Sequence, residues 1–349
     1  MRKKVIIFLL LLGAVAVCAE TRRDSILSIL TATEGSYRYG YEELAPDEQT
    51  WYDGIVEAVA LFDANAGTDL YHTAPVDWNA SIYNYENMQG LIKMLQRIYN
   101  DVPEMWHLYY IPRYENGTYV ARIYKQNTPQ NYLRNLQLFD SAYAEISKNV
   151  TDDMSLYDKI LCLHDAYIAW NDYGGMSAAD ASNAKGALVD RKAVCEGLSR
   201  GWLYICQRAG LKCMYMQGAL LQNRETDNWV NHAWNFMEVD GKWYLLDMTT
   251  DGGFPGVCSH AAFLKGQDYY QNNYRLTSIQ GDVFGVYDRI PTLADSDCPK
   301  TEQHPTDVMQ PTEMPQLDVT QPMFDLTGRR VRLPYKGIVI QQGRKYYLD

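Results

Sequence analysis

The 349-residue sequence has few features of a metal-binding, nucleic-acid-binding or membrane-spanning protein. It contains no Cys-x-x-Cys pair and no closely spaced group of His and Cys, so we expect neither a metal site nor a cofactor. The formal net charge of -11 disfavours nucleic acid and anionic membranes as partners. Beyond residue 19 no stretch approaches the roughly 20 apolar residues that a membrane span requires. The mature chain is therefore not expected to be transmembrane.

The longest apolar run lies at the N-terminus. Basic residues at positions 2–4 precede an apolar stretch over residues 5–17, and a small-residue cleavage pattern follows up to Ala19. We predict a signal peptide at residues 1–19, and hence an exported protein that is periplasmic, on the cell surface or secreted. A lipoprotein anchored at Cys18 is the alternative, but the Val before that cysteine fits lipidation poorly.

One segment has the pattern of a β-hairpin. Residues 232–239 read as a strand, Asp240-Gly241 is a strong signal for a two-residue turn, and residues 242–247 continue as an apolar, aromatic strand. With this turn as the loop, Val239 pairs with Lys242.

Three side chains of this hairpin are predicted to share one face, because side chains alternate along a strand: His232, Trp234 and Asp247. The same register makes His232 and Asp247 diagonal neighbours, within reach of a hydrogen bond. A slip of one residue would place them on opposite faces. Trp234 is a weak candidate for substrate binding, and packing of the sheet is its alternative role.

A helix is predicted from Cys195 to Ala209, where apolar residues recur at helical spacing and Gly210 follows. Cys195 then lies at the helix N-terminus, where free N–H groups, the helix dipole and a nearby imidazolium favour a thiolate. Such a sulfur attacks an amide carbonyl while His232 transfers the proton and Asp247 orients the imidazole. Cys195, His232 and Asp247 are therefore the candidate catalytic residues.

Several segments resemble the transglutaminase-like superfamily, in which the nucleophile, base and orienting acid follow the same order along the chain. The resemblance covers roughly residues 151–270 and implies a papain-like α+β core, with the Cys-bearing helix packed on an antiparallel sheet that carries the His and the Asp. His164, in the first helix of this core, is expected to be structural. The segments that carry the resemblance are Lys185-Gly-Ala-Leu-Val, Ala193-Val-Cys-Glu-Gly, Gln207-Arg-Ala-Gly-Leu-Lys-Cys, His232-Ala-Trp-Asn and Gly241-Lys-Trp-Tyr-Leu-Leu-Asp-Met-Thr.

The composition changes along the chain and suggests five parts. They are a signal peptide (1–19), a mainly helical N-terminal extension (20–150), the transglutaminase-like core (151–298), a Pro-rich linker (299–322) and a short β tail (323–349).

Within the extension, residues 87–99 and 131–148 have helical spacing, and a hairpin is predicted around Asn116-Gly117. The C-terminal tail should form two short hairpins, with turns at Gly328 and Gly343. The tail resembles the sorting tails of secreted Gram-negative proteins, which implies the secretion machinery as a partner. An ordinary β-extension is the alternative.

Together these observations predict an exported thiol enzyme that acts on amide bonds of proteins or peptides, cell-wall peptides among them. Cysteine peptidase or amidase activity is preferred over cross-linking, because an exported enzyme meets such peptides. A protein-glutamine transglutaminase stays open, because either water or an amine can release the acyl group from the cysteine. A non-catalytic surface binding module on the same fold is the third alternative. The backbone N–H of Cys195 is one expected oxyanion donor, and the second is not assignable from the sequence.

Overall fold

The computed structural model describes residues 36–50, 52–54, 56, 73–77, 85–106, 108–115, 118–125, 129–253, 258–276, 286–287, 289–300, 323–324, 330–331, 337–341 and 344–348. The predicted signal peptide, Cys18 and residues 301–322 of the predicted linker lie outside this range. Among the described helices, none has both the length and the hydropathy needed to cross a membrane.

The described helices and strands alternate irregularly along the chain, as expected for an α+β protein. A 3-10 turn, Pro103–Met105, lies between α2 and β2. In chain order the elements are α1 (Tyr39–Glu42), β1 (Thr73–Asp77), α2 (Tyr85–Asp101), β2 (Leu108–Glu115), β3 (Thr118–Lys125), α3 (Pro129–Ile146), α4 (Leu156–Trp170), β4 (Asp172–Tyr173), α5 (Ala184–Leu188), β5 (Lys192–Ala193), α6 (Cys195–Arg208), β6 (Cys213–Asn223), β7 (Asn228–Val239), β8 (Lys242–Leu246), α7 (Met248–Gly252), α8 (Gln267–Asn273), β9 (Tyr274–Arg275), β10 (Met323–Phe324), β11 (Arg330–Val331), β12 (Gly337–Gln341) and β13 (Arg344–Leu348).

The core consists of one antiparallel sheet with α6 packed on it. The strand order is β8-β7-β6-β9, and α6 contacts both β6 and β7. Apolar side chains of α6, among them Trp202 and Ile205, are fully buried together with Tyr215 and Met237 from these strands. The predicted α+β core, with a Cys-bearing helix on an antiparallel sheet, is confirmed.

The hairpin between β7 and β8 has the predicted register. Val239 pairs with Lys242, and the ladder continues to the pair Asn235 and Leu246. Asp240 and Gly241 have φ values of 52° and 79°, and two positive φ values are typical of a type I′ turn, whose twist suits a two-residue hairpin. This turn therefore sets which side chains of β7 face the end of β8.

Glycines allow α6 to approach its neighbours closely. A Cβ at Gly197 would collide with the carbonyl oxygen of Ala181, and one at Gly201 would collide with the Tyr167 hydroxyl. The Cys-Glu-Gly motif thus has a packing reason as well as a chemical one. The close approach fixes the start of α6, where Cys195 lies, against the loop that precedes α5.

The N-terminal extension contains the two predicted helices, α2 and α3, and a three-stranded sheet with the order β1-β3-β2. β2 and β3 form the hairpin predicted around Asn116-Gly117, with Glu115 paired to Thr118. The third strand, β1, was not predicted from the sequence.

Side chains of α6 bind the C-terminal end of α2. The Nη1 of Arg200 donates to the carbonyl oxygen of Tyr99 at 2.7 Å, and the Nε2 of Gln207 donates to that of Asp101, also at 2.7 Å. Arg200 is buried and also pairs with Glu196 one turn earlier. The extension therefore contacts the helix that begins at Cys195.

The C-terminal residues form a four-stranded sheet with the order β11-β10-β12-β13. β10 pairs with β11, and β12 pairs with β13 around Gln342-Gly343, so both predicted hairpins are present. The boundaries of the five parts and the sorting role of the tail stay predictions.

Candidate functional site

The hairpin brings His232 and Asp247 into direct contact. The Nε2 of His232 lies 2.7 Å from the Oδ2 of Asp247, and both side chains are buried. Asp247 directly follows β8, while His232 pairs with Gly218 of β6 in the middle of the sheet. A side chain at Gly218 would collide with the carbonyl of Arg275 and crowd Trp234, so a glycine at this position keeps the strand beside His232 closely packed.

Asp247 accepts hydrogen bonds on both carboxylate oxygens. It is the N-cap of α7, and its Oδ1 accepts from the backbone N–H groups of Thr249 at 2.9 Å and Thr250 at 3.2 Å. The hydroxyls of Thr250 and Tyr274 each donate to Oδ2 at 2.7 Å. The carboxylate is thus held in one orientation, with Oδ2 directed at His232.

These contacts keep Asp247 ionised although it is fully buried. Burial raises the pKa of a carboxyl group, but the charge of His232 and the hydrogen bonds from His232, Thr250 and Tyr274 outweigh it, so the pKa of Asp247 lies below its ordinary value of 3.8. The site therefore contains a stable negative charge next to the imidazole.

Cys195 lies on the other side of the imidazole. It is the first residue of α6, is only partly buried and lies close enough to His232 to affect the pKa of its imidazole. Because Nε2 binds Asp247, Nδ1 is the ring nitrogen available to Cys195. Burial lowers the pKa of His232, but the Asp247 carboxylate and Cys195 raise it from 6.5 to about 10. The imidazole is therefore protonated at neutral pH.

Trp234 packs behind the site. Its side chain is fully buried, its ring stacks on His232 with centroids 6.3 Å apart, and it meets the Tyr274 ring edge-on at 5.1 Å. Its burial favours packing of the sheet, the alternative role considered from the sequence. The substrate-binding role of Trp234 stays a prediction.

Two tyrosines of the site were not predicted from the sequence. Tyr274, in β9, reaches Asp247 as described above. Tyr173, in β4, is 37% exposed, and the charges of Cys195 and Asp247, after burial, raise the pKa of its hydroxyl. β4 pairs in parallel with β5, two residues before Cys195, and this pairing places Tyr173 next to the start of α6. Neither tyrosine belongs to a recognisable motif.

Residues 143–248 match the family model of the transglutaminase-like superfamily. The chain contains a transglutaminase-like domain. The match includes Cys195, His232 and Asp247, and it confirms the resemblance identified from the sequence motifs. The catalytic assignment of these three residues stays a prediction.

Among the solved structures that match this chain, three have a sequence identity of 14%. They are a candidate cysteine protease from Cytophaga hutchinsonii (43% of this chain, 65% of that chain, TM-score 0.27), a TGase (51%, 50% and 0.27) and the periplasmic domain of TgpA from Pseudomonas aeruginosa (40%, 60% and 0.24). The chain thus spans between half and two thirds of their lengths. A search of curated proteins returned no match.

Proposed function

We propose that this protein is an exported, thiol-dependent acyl-transfer enzyme that acts on amide bonds of proteins or peptides. The observation that carries the proposal is the His232–Asp247 hydrogen bond of 2.7 Å, with Cys195 at a helix N-terminus against the same imidazole. Acyl transfer through a cysteine requires a nucleophile, a base beside it and a carboxylate that orients the base.

In the first half-reaction, the Cys195 thiolate attacks the amide carbonyl and a C–S bond forms. The oxyanion faces the N-terminus of α6, where the backbone N–H of Cys195 is a donor. The His232 imidazolium gives the Nδ1 proton to the leaving amine as the C–N bond breaks, and the acyl group remains on the sulfur. Asp247 stays ionised throughout and stabilises the charged ring.

In the second half-reaction, a nucleophile attacks the acyl carbon and transfers a proton to Nδ1 of His232. The C–S bond then breaks, the acylated product leaves, and the sulfur departs as the thiolate that pairs with the imidazolium again. Water gives hydrolysis and an amine gives cross-linking, and both use the same three residues. We propose hydrolysis, as a peptidase or amidase, because the sequence of residues 1–19 indicates export to a compartment rich in accessible peptides, such as those of a cell wall.

The experiment is turnover of a peptide library by the purified protein and its Cys195→Ala variant, with mass spectrometry of the intact protein to detect an acyl adduct. Loss of all amide turnover and of the adduct in Cys195→Ala is expected. The matched control is Cys162→Ala, which removes another partly buried free thiol and should retain turnover. Equal turnover by wild type and Cys195→Ala would refute the proposal.

Adding a primary amine to the same assay separates the alternatives. Hydrolysis predicts free carboxylic acid as the main product, whereas a transglutaminase would incorporate the amine into glutamine side chains. A binding module would show neither product, and its ligand affinity would not change in Cys195→Ala.

A further inference from the structure

A second group of reactive side chains converges on one atom outside the triad. The Nδ1 of His164 and the Nε2 of His260 each lie 2.8 Å from the Oδ1 of Asp165, and the Sγ of Cys258 lies 3.3 Å from the same oxygen. The four potential ligand atoms, one from each residue, lie within 4.8 Å of one another. Two imidazoles, a thiol and a carboxylate are a donor set that zinc binds.

The spacing of these residues along the chain does not reveal the cluster. His164 and Asp165 lie in α4, whereas Cys258 and His260 lie in the segment between α7 and α8. Cys258 is 93 positions and His260 is 95 positions from Asp165. The expectation of no metal site rested on the absence of a Cys-x-x-Cys pair or of a larger His and Cys group. The fold brings the pair Cys258 and His260 next to the pair His164 and Asp165, which is distant in the sequence.

The contacts of Asp165 are close to the separations of a tetrahedral metal site, whereas ligand atoms up to 4.8 Å apart would have to approach by about 1 Å. With metal–ligand bonds of about 2.0–2.3 Å, neighbouring ligand atoms of such a site lie about 3.3–3.8 Å apart. The contacts of Asp165 with both imidazoles, at 2.8 Å, need to open by only about half an ångström to reach that geometry. Cys258 and His260 are two residues apart in a segment without helix or strand, so both side chains are able to point toward α4.

A buried carboxylate fixes the orientation of His164. The His164 side chain is fully buried, and its Nε2 lies 3.2 Å from the Oδ2 of the buried Asp251, which leaves Nδ1 directed into the cluster. Metal-binding histidines are commonly held in this way by a carboxylate on the other ring nitrogen. The arrangement supports His164 as a preoriented ligand.

Asp251 also holds the segment that carries the other two ligands. Its Oδ1 accepts from the Ser259 hydroxyl at 3.0 Å and from the Ala262 backbone N–H at 2.8 Å. Phe263 packs edge-on against the rings of His164 and His260, at centroid distances of 4.9 and 5.7 Å, and forms an apolar wall. The cluster thus has a carboxylate partner for His164 and an apolar wall on one side, while the side chains of Asp165 and His260 are 46% exposed and Cys258 is exposed.

We propose that His164, Asp165, Cys258 and His260 form a four-coordinate site for a divalent transition metal of the zinc type. Four protein ligands leave no open position, so the metal is structural: it fastens the segment after α7 to α4. Asp251 lies in α7, the short helix that Asp247 caps. The metal therefore stabilises the element that positions the carboxylate of the proposed triad.

The test is titration of Co²⁺ into the metal-free full chain in a Cys195→Ala background, which removes the proposed active-site thiol as a competing ligand. We expect one Co²⁺ per chain, with visible bands of tetrahedral cobalt and a near-ultraviolet thiolate-to-cobalt band, and displacement of the cobalt by Zn²⁺. The Cys258→Ser variant should lose the thiolate band, and the His260→Ala variant should lose the tetrahedral bands. The control Cys298→Ser, which alters another partly buried cysteine, should retain both features.

The variant Asp251→Asn tests the site through its metal affinity, because it changes the carboxylate that orients His164 and leaves all four proposed ligands in place. Removal of a carboxylate that orients a ligating histidine weakens metal affinity by about 10–100-fold, and we expect a loss in this range. The absence of Co²⁺ binding, binding without a thiolate band, or a band that survives Cys258→Ser would each overturn the proposal. None of these measurements uses enzyme activity, so the metal site and the proposed function can fail separately.

Discussion

The substitution Asp247→Asn removes one charge from a fully buried side chain and keeps its shape. An amide oxygen at the Oδ1 position still accepts from the backbone N–H groups of Thr249 and Thr250, so the cap of α7 is retained. The amide NH₂ then lies opposite the Nε2 of His232. Two N–H donors do not bond each other, so Nε2 must be unprotonated and His232 carries its proton on Nδ1. Nδ1 faces Cys195 and then can no longer accept a proton from it.

The size of the effect follows from the charge of Asp247. It is the main group that, against the effect of burial, raises the pKa of His232 from 6.5 to about 10. Without this charge, burial favours the neutral form of the His232 ring. The same change in a Ser-His-Asp enzyme lowers kcat by about 10⁴. That factor is a barrier increase of about 5.4 kcal/mol.

The assay compares kcat for amide turnover in wild type, Asp247→Asn and the control Asp240→Asn. Asp240 lies in the hairpin turn with a positive φ, a conformation that Asn tolerates, so the control removes the same charge without altering the site. We expect Asp247→Asn to lower kcat by about 10³–10⁴ and the control to change it less than about twofold. An Asp247→Asn enzyme that folds with normal thermal stability and keeps more than a tenth of wild-type kcat would refute the proposed role of this carboxylate.

Three further predictions follow from the geometry. Gly197→Ala should lower the free energy of unfolding by about 1–3 kcal/mol, because the new Cβ collides with a backbone carbonyl. The control Gly54→Ala places its Cβ in open space and should not lower it, and thermal unfolding of both variants checks the difference. Tyr274→Phe should lower stability by about 1.5–3 kcal/mol in denaturant titrations, since it removes a hydrogen bond to a buried carboxylate, whereas the stacked neighbour change Tyr270→Phe should cost less than half as much. Because the pKa of His232 is raised in the folded protein, its contribution to stability should be complete below pH 6.5 and lost as the pH rises through about 10. Turnover should fall over the same pH range. A difference in stability between wild type and His232→Gln that does not shrink between pH 6.5 and 10 would contradict this prediction.

The hairpin and the helix of the candidate site could be predicted because their signals are local. Asp240-Gly241 specifies a two-residue turn, and strand alternation then determines that His232 and Asp247 share a face. The position of Cys195 at the start of α6 follows from the spacing of apolar residues and from Gly210, which has the positive φ that ends many helices.

The residues that the sequence did not reveal reach the site through tertiary packing. Tyr274 and Tyr173 each lie in a strand of only two residues, β9 and β4 respectively. Neither strand is long enough to show the alternation that predicts strands. The same holds for the cluster around Asp165, whose members come from α4 and from a segment without regular structure. Side chains that depend on non-local pairing leave no periodic signal in the sequence.

The most direct test of the proposed thiol chemistry is the rate of Cys195 alkylation as a function of pH in the purified protein and in His232→Ala. An ordinary free thiol reacts mainly above a pH of about 8.5, where it is ionised. The Cys195–His232–Asp247 arrangement predicts rapid alkylation that persists well below that pH in wild type and is lost in His232→Ala. A thiol that reacts like free cysteine in both proteins would contradict it and favour a binding module on the transglutaminase-like fold.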